Sequence, residues 1–283
     1  MCGITGFIST KKEQLGSLKR ILESQENRGP DNSNIENIES LRSHVCLGHN
    51  RLIINDLTDA SNQPFWDETK RYCLVFNGEI YNYIELRKEL ESYNFKFRTS
   101  GDVEVLLNAL IKWDKEVFKK LNGMFAFCFF DFKTMRAIMS RDRFGKKPFF
   151  YFNDGLRFYF ASTPTQMAKE FKKPPNYEYL LNGLKYWIYE SDSNLSQYES
   201  ILSLEAGHYL EVKIINQKIS TKKVRYYNLD HSVNIKKNTL SGLSFQDHIN
   251  NLKELYNDSI QIRLRSDVPV GVSLSGGLDS STI

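Results

Sequence analysis

Cys2 is the residue whose position could support nucleophilic catalysis, since removal of Met1 would give it a free α-amine. An α-amine has a pKa of about 8, and it lies within reach of the thiol of its own residue. It can therefore act as the general base for that thiol and replace a separate histidine. Position alone favours a different interpretation, a structural cysteine buried at the start of an edge strand. The residues described next reverse this preference.

Small residues and a distant Asn-Gly pair supply what an attacking thiol would need. The run Cys-Gly-Ile-Thr-Gly at residues 2–6 keeps bulky side chains away from the nucleophile. Acyl transfer also needs an oxyanion hole, which combines a backbone N–H with a preorganised side-chain donor. Asn77 and Gly78 offer both, at a point where an apolar strand is predicted to end in a turn.

A charged pair could recognise glutamine, whose α-carboxylate and α-ammonium require a cation and an anion. Arg51, in the run Gly-His-Asn-Arg-Leu, suits the carboxylate because a guanidinium can bond to it in bidentate fashion. Asp102, at the start of a predicted helix, suits the ammonium. His49 is interpreted as structural, because the α-amine makes a histidine base unnecessary.

A second motif, Ser-Gly-Gly-Leu-Asp-Ser, occupies residues 275–280. Small residues let backbone N–H groups approach a phosphate, and a following helix N-terminus adds favourable potential for an anion. The motif is not a Walker A loop, because no Gly-Lys-Ser/Thr follows it. In isolation it could be a simple turn, but a buried strand is predicted directly before it, which favours a nucleotide loop.

The composition, with 41% hydrophobic and 25% charged residues, is typical of a globular protein. The net charge of +4 comes from Lys and Arg residues spread along the chain, without the long basic run of a nucleic-acid-binding arm. Pairs such as Lys146-Lys147 are interpreted as solvated surface. The longest apolar run is too short for a membrane helix, and no signal-peptide pattern is present. The chain is predicted to be cytoplasmic, with no nucleic-acid or membrane partner.

Four cysteines show no CxxC spacing. Cys46, Cys73 and Cys128 lie in apolar stretches and are predicted to be buried free thiols. No cluster of Cys and His has metal-ligand spacing, so no metal site is predicted.

Apolar periodicity predicts the elements that must position these residues. Strands are predicted at 2–9, 44–48, 51–55, 72–76, 124–131, 135–141, 148–153, 157–161, 208–215, 218–226 and 268–274. Helices are predicted at 82–93, 102–113, 178–186 and 245–264, the last with Ser244 as its N-cap. Strands, two helices and strands again indicate the α+β class, with helices layered on sheets.

Six motifs in this order resemble the class II (N-terminal cysteine) glutamine amidotransferase domain of the asparagine synthetase type, over roughly residues 2–215. They are MCGITGF, RGPD, GHNRL, FNGEIYN, LNGMFAF and RDRFGKKP. The resemblance implies a four-layer α/β/β/α sandwich of the N-terminal nucleophile hydrolase type. It implies Cys2 as the nucleophile and Asn77 with Gly78 as the oxyanion hole. The implied glutamine contacts are Arg51, Leu52, Ile53, Ile54, Asn55, Asn77, Gly78, Glu79 and Asp102.

The loop at 275–280 resembles the pyrophosphatase-type loop of enzymes that split ATP into AMP and pyrophosphate. The implied ATP contacts are Leu274, Ser275, Gly276, Asp279 and Ser280. The resemblance predicts a glutaminase domain at 2–227, a linker at 228–243 and the beginning of an α/β nucleotide-binding synthetase domain at 244–283. The first domain is expected to fold and hydrolyse glutamine without the remainder.

The implied reaction is glutamine-dependent asparagine synthesis, in which ammonia released at Cys2 amidates an aspartate adenylated with Mg²⁺-ATP. The implied partners are glutamine, aspartate and ATP; the glutaminase half needs no cofactor, and a homodimer is left open. A relative that amidates another carboxylate, such as a sugar acid, also stays open, because the acceptor site is expected beyond Ile283. A silent glutamine-sensing relative is a further alternative, against which the intact Cys2, Arg51 and Asn77 argue.

The sequence departs from the family pattern at two places. Asn27 stands where the family usually has His before Arg-Gly-Pro-Asp, and Ile53-Ile54-Asn55-Asp56 replaces a Ser/Ile/Asp pattern. Neither departure touches a proposed catalytic atom. The arginines of the motifs, Arg28, Arg141 and Arg143, are interpreted as structural ion-pair partners.

Overall fold

The computed structural model describes residues 1–39, 43–187, 193–240 and 242–283. This part contains the strands β1 Gly3–Ser9, β2 Asn32–Glu39, β3 His44–Arg51, β4 Phe65–Trp66, β5 Tyr72–Ile80, β6 Gly123–Asp131, β7 Arg136–Arg141, β8 Phe150–Asn153, β9 Arg157–Ala161, β10 Leu202–Ser203, β11 His208–Ile215 and β12 Lys218–Arg225. The helices are α1 Leu15–Glu23, α2 Tyr83–Ser92, α3 Asp102–Trp113, α4 Thr165–Glu170, α5 Tyr177–Tyr186, α6 Leu229–Leu240, α7 Phe245–Arg263 and α8 Leu278–Thr282. Short 3₁₀ helices occur at Glu26–Arg28, Asp59–Ser61 and Asp114–Lys119.

The strands form two six-stranded sheets in which neighbouring strands run antiparallel. The order is β10-β8-β9-β1-β3-β2 in the first sheet and β12-β11-β7-β6-β5-β4 in the second. The N-terminal strand therefore lies inside the first sheet, between β9 and β3. The strand that carries Asn77 lies next to the edge of the second sheet.

Three buried apolar clusters define four layers. The middle cluster lies between the sheets and includes Ile4 of β1 and Val75 of β5. One outer cluster joins Leu106 of α3 to Phe127 of β6, and the other joins Ile21 of α1 to the first sheet. The predicted four-layer α/β/β/α sandwich is confirmed.

β1 is a strand because both of its faces are buried against apolar layers. Ile4 and Ile8 belong to the cluster between the sheets, and Phe7 belongs to the cluster beneath α1. Side chains of a strand alternate between its faces, so a central strand requires a continuous apolar run of this kind. Gly6 is needed because a Cβ there would lie 2.6 Å from the ring of Phe160. The strand delivers Cys2 to one end of the sandwich.

Helix α3 and strand β9 have the bounds predicted from the sequence. Two predictions near the cavity described below are wrong. The strand expected at 51–55 is a loop, because β3 ends at Arg51 and Asp56 adopts a positive φ of 54°. The turn expected at Asn77-Gly78 does not form, because β5 continues to Ile80 with Gly78 paired to Phe125.

The C-terminal part of the chain contains one helix that the sequence did not predict and lacks one strand that it did predict. The segment 228–243, predicted to be a linker, carries helix α6. The buried strand predicted at 268–274 is absent, and Val270, Val272 and Leu274 are exposed. No described strand pairs with this segment, and an unpaired buried strand would leave its backbone groups unsatisfied. The N-cap of α7 is confirmed, since Ser244 and Asp247 form a capping box.

The cysteine prediction is confirmed for the three internal residues. Cys46, Cys73 and Cys128 are free and fully buried, whereas Cys2 is half-buried. Burial raises the pKa of the Cys46 thiol to about 12 and raises the pKa values of Cys73 and Cys128 well above the usual value. Among the helices of the described ranges, none is long and apolar enough to cross a membrane.

Candidate active site

A cavity of about 150 Å³ lies where the start of β1 approaches the end of β5. It is lined by Met1, Cys2, Arg51, Leu52, Ile54, Asn55, Gln63, Phe76, Asn77, Gly78, Glu79, Asp102, Val103, Met124 and Lys147. The residues predicted for the nucleophile, the oxyanion hole and the glutamine contacts are therefore brought together, with the exception of Ile53. The Ile53 N–H instead donates to Asp31 Oδ2 at 2.8 Å, within the Arg-Gly-Pro-Asp motif.

The Cys2 thiol is held by the backbone of Leu52. The Leu52 N–H donates to Sγ at 3.4 Å, and Sγ donates to the Leu52 carbonyl oxygen at 3.7 Å. Arg28 Nε donates to the Cys2 carbonyl oxygen at 3.1 Å, so this arginine holds the main chain of Cys2 in place. Burial raises the pKa of the thiol, while the Leu52 N–H and the positive N-terminus lower it.

Asn77 is fully buried, and neither its Oδ1 nor its Nδ2 has a hydrogen-bond partner among the described residues. Leaving a buried polar group unpaired costs about 1–3 kcal/mol, so native structures rarely do it without a functional reason. The side chain of Gln63 fixes the backbone of Phe76, the residue before Asn77. Gln63 Oε1 accepts from the Phe76 N–H at 2.6 Å, and Gln63 Nε2 donates to the Phe76 carbonyl oxygen at 3.2 Å. Gln63 thus takes the place of an edge strand there, because β4 pairs only with Cys73 and Leu74.

Gly78 is a glycine because the neighbouring strand leaves no room for a side chain. A Cβ there would lie 2.1 Å from the Met124 carbonyl oxygen and 2.8 Å from the Cα of Phe125. Strand packing, and not a turn, therefore explains the Asn-Gly pair. Because Gly78 has no side chain, its backbone forms the cavity wall next to Asn77.

Arg51 is buried at the end of β3, and its guanidinium holds the loop that follows. One terminal nitrogen donates to the Thr58 carbonyl oxygen at 2.8 Å and to Asn62 Oδ1 at 2.7 Å. The other donates to the Asp56 carbonyl oxygen and, at 3.4 Å, to that of Asn55. A carboxylate ligand would have to share these N–H groups or bond to Nε.

Asp56 organises this loop, although the sequence did not indicate it as a site residue. Its carboxylate accepts from the Thr58 N–H at 3.0 Å and from the Thr58 hydroxyl at 2.6 Å. It also accepts from the N–H groups of Ser100 at 2.8 Å and Gly101 at 3.3 Å. Burial alone would raise its pKa, but the hydrogen bonds from Thr58 and its other donors hold the pKa below its usual value. Gly101 directly precedes α3, so the same carboxylate fixes the start of that helix.

Asp102 is the first residue of α3 and is buried in the cavity wall. Its Oδ2 accepts from the Ile80 N–H at 2.9 Å. Burial raises the pKa of this carboxyl to about 7, and the hydrogen bond from Ile80 acts in the opposite direction. A carboxyl with this pKa is partly neutral near pH 7 and ionises more fully when a cation binds beside it.

Lys147 is not the solvated surface residue that the sequence indicated, because it is 5% exposed and lines the cavity. The loop after β7 places it there: the Asp142 carboxylate accepts from the N–H groups of Phe144 at 3.1 Å, Lys146 at 3.0 Å and Lys147 at 3.0 Å. Burial lowers the pKa of Lys147, and the carboxylate of Glu79 raises it. Burial likewise raises the pKa of Glu79, and Lys147 lowers it. The two charges therefore act on each other across the cavity.

His49 and the remaining motif arginines are structural, as predicted. His49 is buried with Nε2 3.1 Å from the Phe76 carbonyl oxygen, and burial lowers its pKa to about 3. Arg141 Nε donates to the Lys147 carbonyl oxygen at 2.8 Å, and Arg143 donates to that of Phe118 at 3.0 Å. These hydrogen bonds go to the main chain.

The predicted ATP contacts lie in an exposed loop away from this cavity. The hydroxyls of Ser275 and Ser280 are 2.9 Å apart, and Gly276 has a φ of 77° with no atom within 4 Å of an added Cβ. Hydroxyls and open backbone fit a phosphate group, and the Asp279 carboxylate fits Mg²⁺. Within the described ranges, no group of three or more His, Cys, Asp and Glu side chains is placed to hold a metal.

Two antiparallel sheets between helical layers, with a cysteine at the start of a central strand, form a fold of the N-terminal nucleophile type. The fold is similar to the solved glutamine phosphoribosylpyrophosphate amidotransferase of Bacillus subtilis, with a TM-score of 0.55, 19% sequence identity, and 80% of this chain and 49% of that chain covered. The family model for the glutamine amidotransferase domain matches residues 1–227, and the chain belongs to that family. The family model for asparagine synthase matches residues 251–283.

Curated relatives match along the whole chain. A putative glutamine-hydrolyzing asparagine synthetase 2 from Methanocaldococcus jannaschii is 36% identical over 301 residues, which covers 100% of this chain and 56% of the relative. The glutamine-hydrolyzing asparagine synthetase 3 of Bacillus subtilis is 34% identical over 293 residues, which covers 100% of this chain and 44% of the relative. The chain spans about half the length of these relatives.

The Lys147 ammonium should make the Cys2 thiol easier to ionise, because a nearby cation favours the thiolate. We expect Lys147→Met to move the pH dependence of Cys2 alkylation by iodoacetamide upward. Mass spectrometry of the N-terminal peptide measures the rate. Lys146→Met, which removes an exposed neighbouring charge, is the control and should leave the profile unchanged. Identical profiles for the two variants would contradict this role of Lys147.

Proposed function

We propose that this chain hydrolyses glutamine at Cys2 and forms the glutaminase part of a glutamine-dependent asparagine synthetase. One observation carries the first half of the proposal. The buried amide of Asn77 has no hydrogen-bond partner among the described residues and lines the same cavity as the Cys2 thiol. A preorganised donor beside a nucleophile is what stabilisation of an oxyanion requires. The family match over residues 1–227 supports the same chemistry.

In the proposed reaction the α-amine of Cys2, free once Met1 is removed, takes the proton of the thiol. The sulfur attacks the side-chain carbonyl carbon of glutamine, and the Asn77 amide and Gly78 N–H donate to the oxyanion that forms. The ammonium then protonates the leaving nitrogen, the C–N bond breaks and ammonia departs. Water hydrolyses the glutamyl thioester to glutamate and restores the thiol.

The proposed recognition of glutamine uses two of the charged residues that line the cavity. Arg51 bonds to the α-carboxylate, and Asp102 bonds to the α-ammonium. Glu79 and residues 52–55 complete the contacts, of which Ile53 acts through the backbone of the loop. The Lys147 cation compensates part of the burial that raises the pKa of the nucleophile.

For the second half-reaction we infer a glutaminase domain at 2–227, a connection at 228–243 and the start of a synthetase domain at 244–283. The asparagine synthase match at 251–283 supports this division. ATP with Mg²⁺ would be held by Leu274, Ser275, Gly276, Asp279 and Ser280. When bound, ATP would supply the adenylate that activates the acceptor carboxylate. Aspartate as that acceptor is supported by the names of the relatives.

Replacement of the nucleophile and blockage of the base should have the same effect on activity. Cys2→Ala should abolish release of ammonia from glutamine without changing the circular dichroism spectrum. A preparation that retains Met1, verified by mass spectrometry, should be nearly as inactive, because the nitrogen of Cys2 is then an amide. Normal glutamine hydrolysis by the Met1-retaining protein would exclude the α-amine as base.

Asn77 and Arg51 should affect different kinetic constants. Asn77→Ala should lower kcat by about 10²–10³ with little change in KM, because its donor is needed when the oxyanion forms. Arg51→Ala should first raise KM for glutamine. The α-carboxylate that Arg51 binds carries the same charge in the substrate and in the transition state, so the contact contributes equally to both. Steady-state glutaminase assays separate the two effects. The reverse pattern would mean that the roles are exchanged.

The KM for glutamine should rise as the pH falls below about 7, the pKa of Asp102. Below that pH the carboxyl is neutral and no longer attracts the α-ammonium; above it the carboxylate is present and KM reaches its minimum. Asp102→Asn should raise KM at every pH and remove this dependence. A KM that stays constant on both sides of the Asp102 pKa would argue against the assignment.

A further inference from the structure

The segment that follows α7 returns to the loop bordering the cavity, although the sequence predicts that it belongs to a separate domain. Asp267 Oδ2 accepts from the Asp56 N–H at 2.7 Å, and the Asp267 N–H donates to the Ile54 carbonyl oxygen at 3.1 Å. Ile54 lines the cavity, and Asp56 is buried. Two hydrogen bonds of opposite direction therefore join the segment to the cavity loop.

Arg265 fixes this segment on the start of α2. Its guanidinium donates to the Tyr81 carbonyl oxygen at 2.6 Å and to both carboxylate oxygens of Glu85 at 2.7 Å. The guanidinium of Arg263 lies over the Tyr81 ring, 4.7 Å from its centroid. Contacts outside the cavity thus determine where Asp267 lies.

Asp56 connects the segment to both charges proposed to recognise glutamine. Its carbonyl oxygen accepts from the Arg51 guanidinium. Its carboxylate accepts from the N–H groups of Ser100 and Gly101, directly before Asp102. The N–H, the carbonyl and the carboxylate of one residue therefore each hold a different element. Loss of Asp267, the partner of the Asp56 N–H, would loosen the loop through which Asp56 positions Arg51 and the start of α3.

We propose that Asp267 is a positioning residue for the glutamine pocket, which it holds through Asp56 from outside the amidotransferase domain. This inference rests on the proposed glutaminase function. It reverses the expectation from the sequence that residues 244–283 contribute nothing to glutamine hydrolysis. Because the segment continues along the chain into the loop at 275–280, it links that loop to the pocket through the two hydrogen bonds of Asp267.

Asp267→Ala in the whole chain tests the proposal. We expect KM for glutamine to rise about fivefold to tenfold, the effect of losing one hydrogen bond, while kcat changes less than about twofold. Asp267→Asn keeps an acceptor oxygen and should restore a KM close to that of the unmodified chain. Glu254→Ala removes the same charge from an exposed position of α7 and is the matched control. Arg265→Ala retains Asp267 but removes the contacts that fix its segment, and should also raise KM for glutamine.

A second measurement does not depend on glutaminase activity. Since the Leu52 N–H bonds to Cys2 Sγ, a looser loop should increase the rate of Cys2 alkylation by iodoacetamide in Asp267→Ala and not in Glu254→Ala. An unchanged KM and alkylation rate, or a lowered melting temperature alone, would overturn the positioning role. If the unmodified chain hydrolyses no glutamine, the proposed function fails, and the alkylation rates still decide whether Asp267 holds the loop.

Discussion

The contact between the apolar faces of the two sheets is the constraint on which the site depends. Each sheet buries one face against the other and its second face beneath helices, so neither sheet can shift without exposing apolar side chains to water. Ile4 and Val75 both belong to this contact, which holds β1 of one sheet against β5 of the other. The thiol at the start of one strand and the amide near the end of the other are therefore brought together by residues that take no part in chemistry.

Polar residues then refine the positions that the apolar contact sets only coarsely. Gln63 satisfies the backbone of Phe76 where the edge strand is too short, and the side chain of the next residue, Asn77, has no hydrogen-bond partner in the described part of the chain. Asp56 fixes the loop after β3 and the start of α3 with one carboxylate. In both cases a side chain makes hydrogen bonds that a neighbouring strand or helix would otherwise have made, and the backbone that it holds borders the cavity.

Many of the strands and helices could be predicted from local periodicity, and most of the cavity lining from motifs that resemble a known family, whereas helix α1 and strand β2 were not predicted. Helix 102–113 is an example of periodicity, since its apolar side chains recur at helical spacing. Asp56 and Lys147 could not be placed in this way, because backbone groups distant in sequence or a loop conformation determine where they lie. The strand predicted at 268–274 was wrong because an apolar run forms a strand only when a neighbour accepts its hydrogen bonds.

The burial of three of the four cysteines has a practical consequence for measuring this protein. Cys46, Cys73 and Cys128 are inaccessible, and their raised pKa values keep them as unreactive thiols. Only Cys2 is partly open to solvent. A thiol reagent applied to the folded protein therefore titrates one thiol per molecule, and four after denaturation. Unfolded molecules in a preparation raise the first count towards the second, so the excess over one thiol per molecule measures the unfolded fraction.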